Sequence, residues 1–157
     1  MNKKTVKGIK ASRSIHLIDI ENLCGGSDLS VSQVEAVRFE YFELVQPDAL
    51  DLFVIAASHH NLEASSYGWP GGFHQFRSGV DGADILLAKV MLEDSIQDRF
   101  QSVFLASGDG GLAPFASALI SQGSQLTVVS GARQMSYAMR QLGCPVVYTT
   151  SSFDLAA

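Results

Sequence analysis

Cysteine is scarce in this chain, and its two copies stand far apart. Cys24 and Cys144 are the only cysteines in 157 residues. They form no Cys-x-x-Cys pair and no dense framework, so neither a structural zinc site nor a disulfide scaffold is expected, and both are read as free thiols. Long apolar runs are missing too. No stretch approaches the ~20 residues that cross a bilayer, and the basic N-terminus passes through IKASRS into a first strand without the apolar segment of a signal peptide. A soluble cytoplasmic protein with no membrane partner is expected. Basic side chains are few once the first thirteen residues are set aside. Lys3, Lys4, Lys7, Lys10 and Arg13 supply five of the eleven, which leaves six against sixteen acidic side chains, a formal −10. The arm is basic and the body acidic. Such an arm either attracts phosphates through local counterion release or is simply a solvated terminus.

What the chain does have is enough apolar content, 46%, for one core of ordinary size. The expected organisation is a basic arm over 1–13, one domain over 14–150 and a short tail over 151–157, with no internal repeat. Residues 14–20 read as a buried strand that ends in Glu21-Asn22 and a glycine stretch. Ser32 and Glu35 have capping-box spacing, and Val34, Val37, Tyr41 and Leu44 recur at helical intervals up to Pro47. A second strand is expected over 49–57 and a short helix over 61–66. A loop from Tyr67 to Gly72 follows, then a short strand over 73–77 and a helix from Gly82 to about Gln97. A fourth strand over 101–106 precedes a helix over 112–122 with Pro114 in its first turn and Gly123 at its end. A fifth strand over 126–129, a last helix marked by Met135, Met139 and Leu142, and a strand over 146–148 complete the pattern. Alternation of this kind predicts the α/β class, a mostly parallel sheet with helices on both faces.

In an open parallel sheet, ligands bind beyond the carboxyl ends of the strands, above all where the strand order reverses. In a 3-2-1-4-5 order the first and fourth strands adjoin, which brings Asp19 of SIHLIDIEN beside Asp109 of FLASGDGGLAP. A carboxylate between Ile18 and Ile20 in a buried strand is costly unless it is paired or holds a metal. Ser107-Gly108-Asp109-Gly110-Gly111 is a strand-to-helix turn with an aspartate cap, or a turn open to phosphate; without Gly-Lys-Ser/Thr it is no Walker loop. Asp81 and Asp84 have the spacing of an N-cap and its third helical position, so capping competes with metal binding there. The helix N-terminus favours the ionised carboxylate that magnesium needs. Asn22 stands three residues beyond Asp19, where its amide could orient water or a phosphate oxygen, and Glu21 is expected to point elsewhere by strand alternation. Hard oxygen ligands suit Mg²⁺ or Mn²⁺, which neutralise phosphate charge and activate water. His59-His60 lacks a third zinc ligand, and Ser58 beside them is too common a pairing for a serine hydrolase. Arg77 and Lys89 are candidate phosphate contacts, and Tyr67 and Trp69 candidate stacking platforms for bases; packing and solvation are the default explanation for all four.

LIDIEN, SGVDGAD and FLASGDGG, in this order and at these separations, resemble the NYN domain family of PIN-like nucleases over most of the chain, from about Ser14 to Tyr148. The resemblance implies a Rossmann-like PIN fold and a metal-dependent endoribonuclease that hydrolyses RNA phosphodiester bonds with Mg²⁺ or Mn²⁺. On matching positions Asp19, Asp81 and Asp109 would hold metal, with Asn22 beside them; Asp84, by its position alone, is a fourth candidate catalytic acid supporting that shell, and Asn22, Ser107, Arg77 and Lys89 are the candidate substrate contacts. The expected partner is single-stranded RNA, and a homodimer is compatible with the sequence. One departure stands out. Family members commonly continue as Gly-Asp-Gly-Asp-Phe, whereas this chain has Gly108-Asp109-Gly110-Gly111-Leu112, and Gly111 supplies no carboxylate. The alternative reading, a noncatalytic RNA-binding or regulatory module, rests on that glycine. A receiver-like phosphoacceptor ranks last, because Ala56-Ala57-Ser58-His59 lacks the acceptor aspartate.

Overall fold

The structure, a computed structural model, describes residues 13–93 and 95–150. Apart from Arg13, the basic arm expected over 1–13 lies outside the described residues, and so does the tail expected over 151–157. Strands β1 (Ser14–Asp19), β2 (Leu52–Ala57), β3 (Phe73–Phe76), β4 (Ser102–Ala106), β5 (Gln125–Gly131) and β6 (Val146–Thr149) form one sheet in the order β3-β2-β1-β4-β5-β6. Every neighbouring pair is parallel. This is the expected 3-2-1-4-5 order with the short last strand added beyond β5. Parallel neighbours require crossovers. These carry helices α1 (Ile20–Cys24), α2 (Val31–Val45), α3 (Leu62–Gly68), α4 (Gly82–Glu93), α5 (Ile96–Arg99), α6 (Ala113–Ser121) and α7 (Tyr137–Arg140).

Side chains alternate across the central strands. Ile15, Leu17, Val103 and Leu105 pack on one face with Leu87 and Met91 of α4 and Ala116 and Leu119 of α6. On the other face Ile18, Ile55, Ala57 and Ala106 pack with Val34, Val37 and Tyr41 of α2. Because both faces are covered, these strands read as nearly continuous apolar runs. Among the described residues no helix is long and apolar enough to cross a membrane, and Cys24 and Cys144 are free thiols.

Several local expectations shift. The capping box of α2 is Ser30 with Gln33, whose side chains accept the Gln33 N–H at 3.2 Å and the Ser30 N–H at 2.8 Å. It is not Ser32 with Glu35; both pairs have the required spacing, and the earlier one adds a half-turn ahead of Val34. The expected loop over Tyr67 to Gly72 begins two residues late, because α3 runs through Tyr67 and Gly68. Trp69 is 1% exposed and packs edge-on against Tyr41 at 5.5 Å, which closes the core beneath α3. The helix expected from Gly82 to Gln97 stops at Glu93 and resumes at Ile96, with Ser95 at φ 49° between the segments. The last helix is one turn, capped by Ser136, whose hydroxyl accepts the Met139 N–H at 3.2 Å.

Toward its amino end β1 buries His16. The tautomer protonated on Nε2 satisfies both neighbours: Tyr41 Oη donates to Nδ1 at 2.6 Å, and Nε2 donates to Asp51 Oδ2 at 2.8 Å. The ring lies stacked between Phe53 and Phe104, at centroid distances of 4.3 and 4.8 Å. Burial lowers the His16 pKa against the opposing hydrogen bond and charge of Asp51, so the imidazole is held neutral. Burial pushes Asp51 up, but His16 and the Ser14 and Asp48 N–H groups outweigh it and keep this carboxyl below its ordinary range.

Candidate active site

The parallel register pairs Leu17 with Leu105 and Ile18 with Ala106, so the next residues, Asp19 and Ser107, meet at the carboxyl edge of the sheet. Asp19 follows Ile15 and Leu17 on the face covered by α4. It is 4% exposed. Its Oδ2 accepts the Ser107 hydroxyl at 3.1 Å and its Oδ1 the Asn22 N–H at 3.3 Å, which caps α1. Burial raises its pKa to about 7, opposed by the Asn22 and Ser107 hydrogen bonds and reinforced by the charges of Glu21 and Asp109.

The loop after β4 closes over this carboxylate. Gly108 N–H donates to Asn22 Oδ1 at 2.8 Å, and a Cβ on Gly108 would collide with the Gln134 carbonyl, so only glycine permits this approach. Asp109 N–H donates to Ser107 Oγ at 3.2 Å, and Asp109 Oδ1 accepts the Gly111 N–H at 2.9 Å. From the other side the loop after β3 brings in Asp81, exposed and at φ 59°, and the first turn of α4 brings in buried Asp84. One carboxylate oxygen from each of Asp81, Asp84 and Asp109 lies within 4.8 Å of the others. The pKa of Asp84 rises to about 7, first through burial, then through the charge of Asp109 and the hydrogen bond they share, with Asp19 and Asp81 adding to it.

Geometry therefore gathers Asp81, Asp84 and Asp109 as the tight set, where Asp19, Asp81 and Asp109 were expected. Asp19 lines the same cleft behind them, with both of its oxygens engaged by α1 and Ser107. Asp81 does not cap α4 through its side chain among the described residues; its backbone carbonyl accepts the Ile85 N–H at 2.9 Å. Ser107 is fully buried, so its hydroxyl serves Asp19 and Asp109 and cannot reach substrate. Asn22 lines the cleft but spends its amide oxygen on Gly108. Arg77 is exposed and lines neither depression near the carboxylates, whereas Lys89 lines the second. Trp69 is withdrawn into the core, and Tyr67 stays exposed. His59 Nδ1 pairs with Ser78 Oγ at 2.8 Å and His60 Nε2 with the Ser27 carbonyl at 2.6 Å, so the two rings serve loop contacts.

Glu21 is the residue that the alternation argument misplaced. The strand ends at Asp19, and Ile20 begins α1, so Glu21 turns into the cleft wall. There its Oε1 accepts the Ser58 N–H at 2.7 Å and Asn61 Nδ2 at 2.9 Å, which fixes the rim formed by the loop after β2. Gly111 explains how Asp84 comes so close to Asp109. A Cβ at position 111 would stand 2.7 Å from Asp84 Oδ2 and 3.4 Å from Asp109 Oδ1. The Asp84 carboxylate thus fills space that any side chain at 111 would claim.

The cleft encloses about 430 Å³. Three hard carboxylate donors within a few ångströms, one of them, Asp84, displaced toward protonation by burial and like charge as is Asp19 behind them, are a donor set that fits Mg²⁺ or Mn²⁺. A divalent cation would relieve the repulsion that the fold imposes.

The fold and cleft define an open, all-parallel α/β domain with an acidic site at the point where strand order reverses. No protein-family model matches the chain, and no curated protein sequence matches it. Among solved structures it is similar to a protein of unknown function from Vibrio parahaemolyticus, with a TM-score of 0.53 and 16% identity over 88% of this chain and 93% of that one. That likeness is one of fold.

Proposed function

We propose that this chain is a metal-dependent endoribonuclease of the NYN, PIN-like kind, acting on single-stranded RNA in the cytoplasm. The observation that carries this reading is the meeting of Asp81, Asp84 and Asp109 oxygens within 4.8 Å, at the strand-order reversal and beside buried Asp19. These three carboxylates would hold Mg²⁺ or Mn²⁺. Once bound, the ion supplies neutralisation of phosphate charge and a lowered pKa for attacking water. Asp19, oriented by Ser107 and the Asn22 N–H at the back of the same cleft, suits the role of proton acceptor for that water. Water oxygen bonds to phosphorus in line, the opposite P–O bond breaks, Asp19 takes the water proton, and the leaving oxygen is protonated from solvent. Glu21 and Asn61 hold the rim that shapes the cleft.

The noncatalytic alternative rests on Gly111. Against it stands Asp84, whose carboxylate occupies the space beside that glycine and restores a third acid to the set. Incubating a panel of RNA and DNA oligonucleotides with Mn²⁺, and comparing wild type with Asp19→Asn and Asp84→Asn, tests the reading. Metal-dependent RNA cleavage lost in both variants supports it. RNA held tightly but left intact across metals would replace it with the binding module.

A further inference from the structure

A second depression of about 700 Å³ opens beside the acidic cleft, between α4 and the start of α6, a size suited to a small organic ligand. Its walls are of a different kind. Ile85, Ala88 and Leu92 form a stripe along α4 at i, i+3 and i+7, and Phe115 of α6 lines the groove with them. Ile85 and Leu92 are large apolar side chains left 42% and 65% exposed. Lys89 sits within the stripe, makes no ion pair among the described residues, and is the one cation among the residues lining either depression. Asp81, Asp84 and Asp109 line both hollows, so the groove and the cleft are continuous through the three carboxylates.

We propose that this groove seats the nucleotide adjoining the scissile phosphate, its base against Phe115, Ile85 and Leu92 and its own phosphate on the Lys89 ammonium. The inference rests on the endoribonuclease reading and adds the substrate subsite to it. An occupant that fills the groove meets an apolar stripe, the Lys89 ammonium with Glu93 on the same wall, and the three carboxylates at the junction with the cleft; a nucleotide of a continuous strand matches the stripe with its base and the ammonium with its phosphate, and runs on to the carboxylates without a break. A base inside a duplex has both faces stacked and cannot offer one to Phe115, so the groove selects unpaired residues. The body is acidic, at six basic against sixteen acidic side chains outside the arm. Affinity then comes from a few local contacts, and Lys89 neutralises one phosphate, a contribution of about 0.7 to the slope of log K against log salt.

The test measures affinity for an unstructured RNA oligomer by fluorescence anisotropy, with Ca²⁺ in place of Mn²⁺ to keep the RNA intact. Wild type is compared with Lys89→Ala and Leu92→Ala, both exposed positions that the fold tolerates. Turnover of bis(p-nitrophenyl) phosphate with Mn²⁺ is followed in parallel. Each variant is expected to weaken RNA binding at least fivefold, and Lys89→Ala to remove about 0.7 from the salt slope. RNA bound equally by wild type and both variants overturns the groove, whatever the diester turnover. Weakened RNA binding in the variants alongside a wild type that leaves RNA intact across metals keeps the groove as a nucleotide subsite and rejects the nuclease reading. If Leu92→Glu converts a dimer to a monomer by light scattering and RNA affinity is unchanged, the face belongs to a second copy and the proposal is wrong.

Discussion

β1 buries a polar side chain toward each end, and the two sites differ in how they are satisfied. His16, toward the amino end, has a donor for one ring nitrogen, an acceptor for the other and an aromatic ring on each face. Asp19, at the carboxyl end, has two donors but faces Glu21, Asp84 and Asp109, and with Asp84 it shares a cleft whose charges all have one sign. A buried network with every partner in place stabilises and specifies a fold. A buried group crowded by like charges has its ionisation displaced, and such groups gather where chemistry is done. One end of the strand is complete without a ligand, and the other is left with a repulsion that a cation would remove.

Mutation should separate the two ends. Asp84→Asn or Asp109→Asn is expected to lower RNA cleavage by about a hundredfold or more, the scale of losing several kcal/mol of charge stabilisation. The same change should raise the melting temperature of the metal-free protein at pH 8, because it removes a repelling carboxylate. A variant that loses both activity and stability would mean that the acids are a structural cluster and the contrast is false. At the other end, Asp51→Ala leaves the buried His16 Nε2–H without its acceptor and should cost about 1–3 kcal/mol in denaturant unfolding, with cleavage per folded molecule unchanged.

Gly111→Ala sharpens the contrast further. Its backbone is not in the left-handed region, so strain is not the issue; the new Cβ must displace the Asp84 carboxylate. Mn²⁺ affinity measured by calorimetry should fall several-fold while the melting temperature of the metal-free protein stays the same or rises. Equal Mn²⁺ affinity would show that Asp84 is not a ligand.

The effects of pH run in opposite directions at the two ends. Asp19 and Asp84 ionise near 7 in the fold against an ordinary 3.8. Between those values the folded state keeps protons that the unfolded chain has released, so the stability of the metal-free protein falls as pH rises through this window. His16 is the reverse. The unfolded imidazole takes a proton near 6.5 while the buried one resists it, so stability from this end falls as pH drops below 6.5. Melting curves from pH 4 to 8 should show that Asp84→Asn removes part of the loss on the alkaline side. Mn²⁺ should stabilise more at pH 8 than at pH 6, because the carboxylates must ionise to bind it; equal stabilisation at both pH values would count against coordination by these acids.

Much of this architecture was readable from residue order. Apolar runs between glycine and proline turns located all six strands to within a few residues, and the order of acids at the strand ends pointed to the edge where they meet. The errors have two physical causes, a cap and a tertiary contact. Ile20 and Glu21 continue the strand by pattern but begin a helix, because the Asp19 side chain caps the chain there, and a cap that turns the chain is not visible in hydrophobic period. Trp69 follows a glycine and precedes a proline, which reads as a loop, yet the core beneath α3 claims its ring.

Local sequence determined the α/β alternation, the carboxylates at the strand ends and the glycine at 111, since these follow from periodicity, turn chemistry and identity alone. Only the tertiary structure decided which acids stand together, that Ser107 is support rather than contact, and that His16 is a satisfied pin while Asp19 is crowded. Those outcomes depend on distances between segments up to 88 residues apart, as Asp19 and Ser107 are. They also depend on burial, and both quantities exist only once the chain has packed.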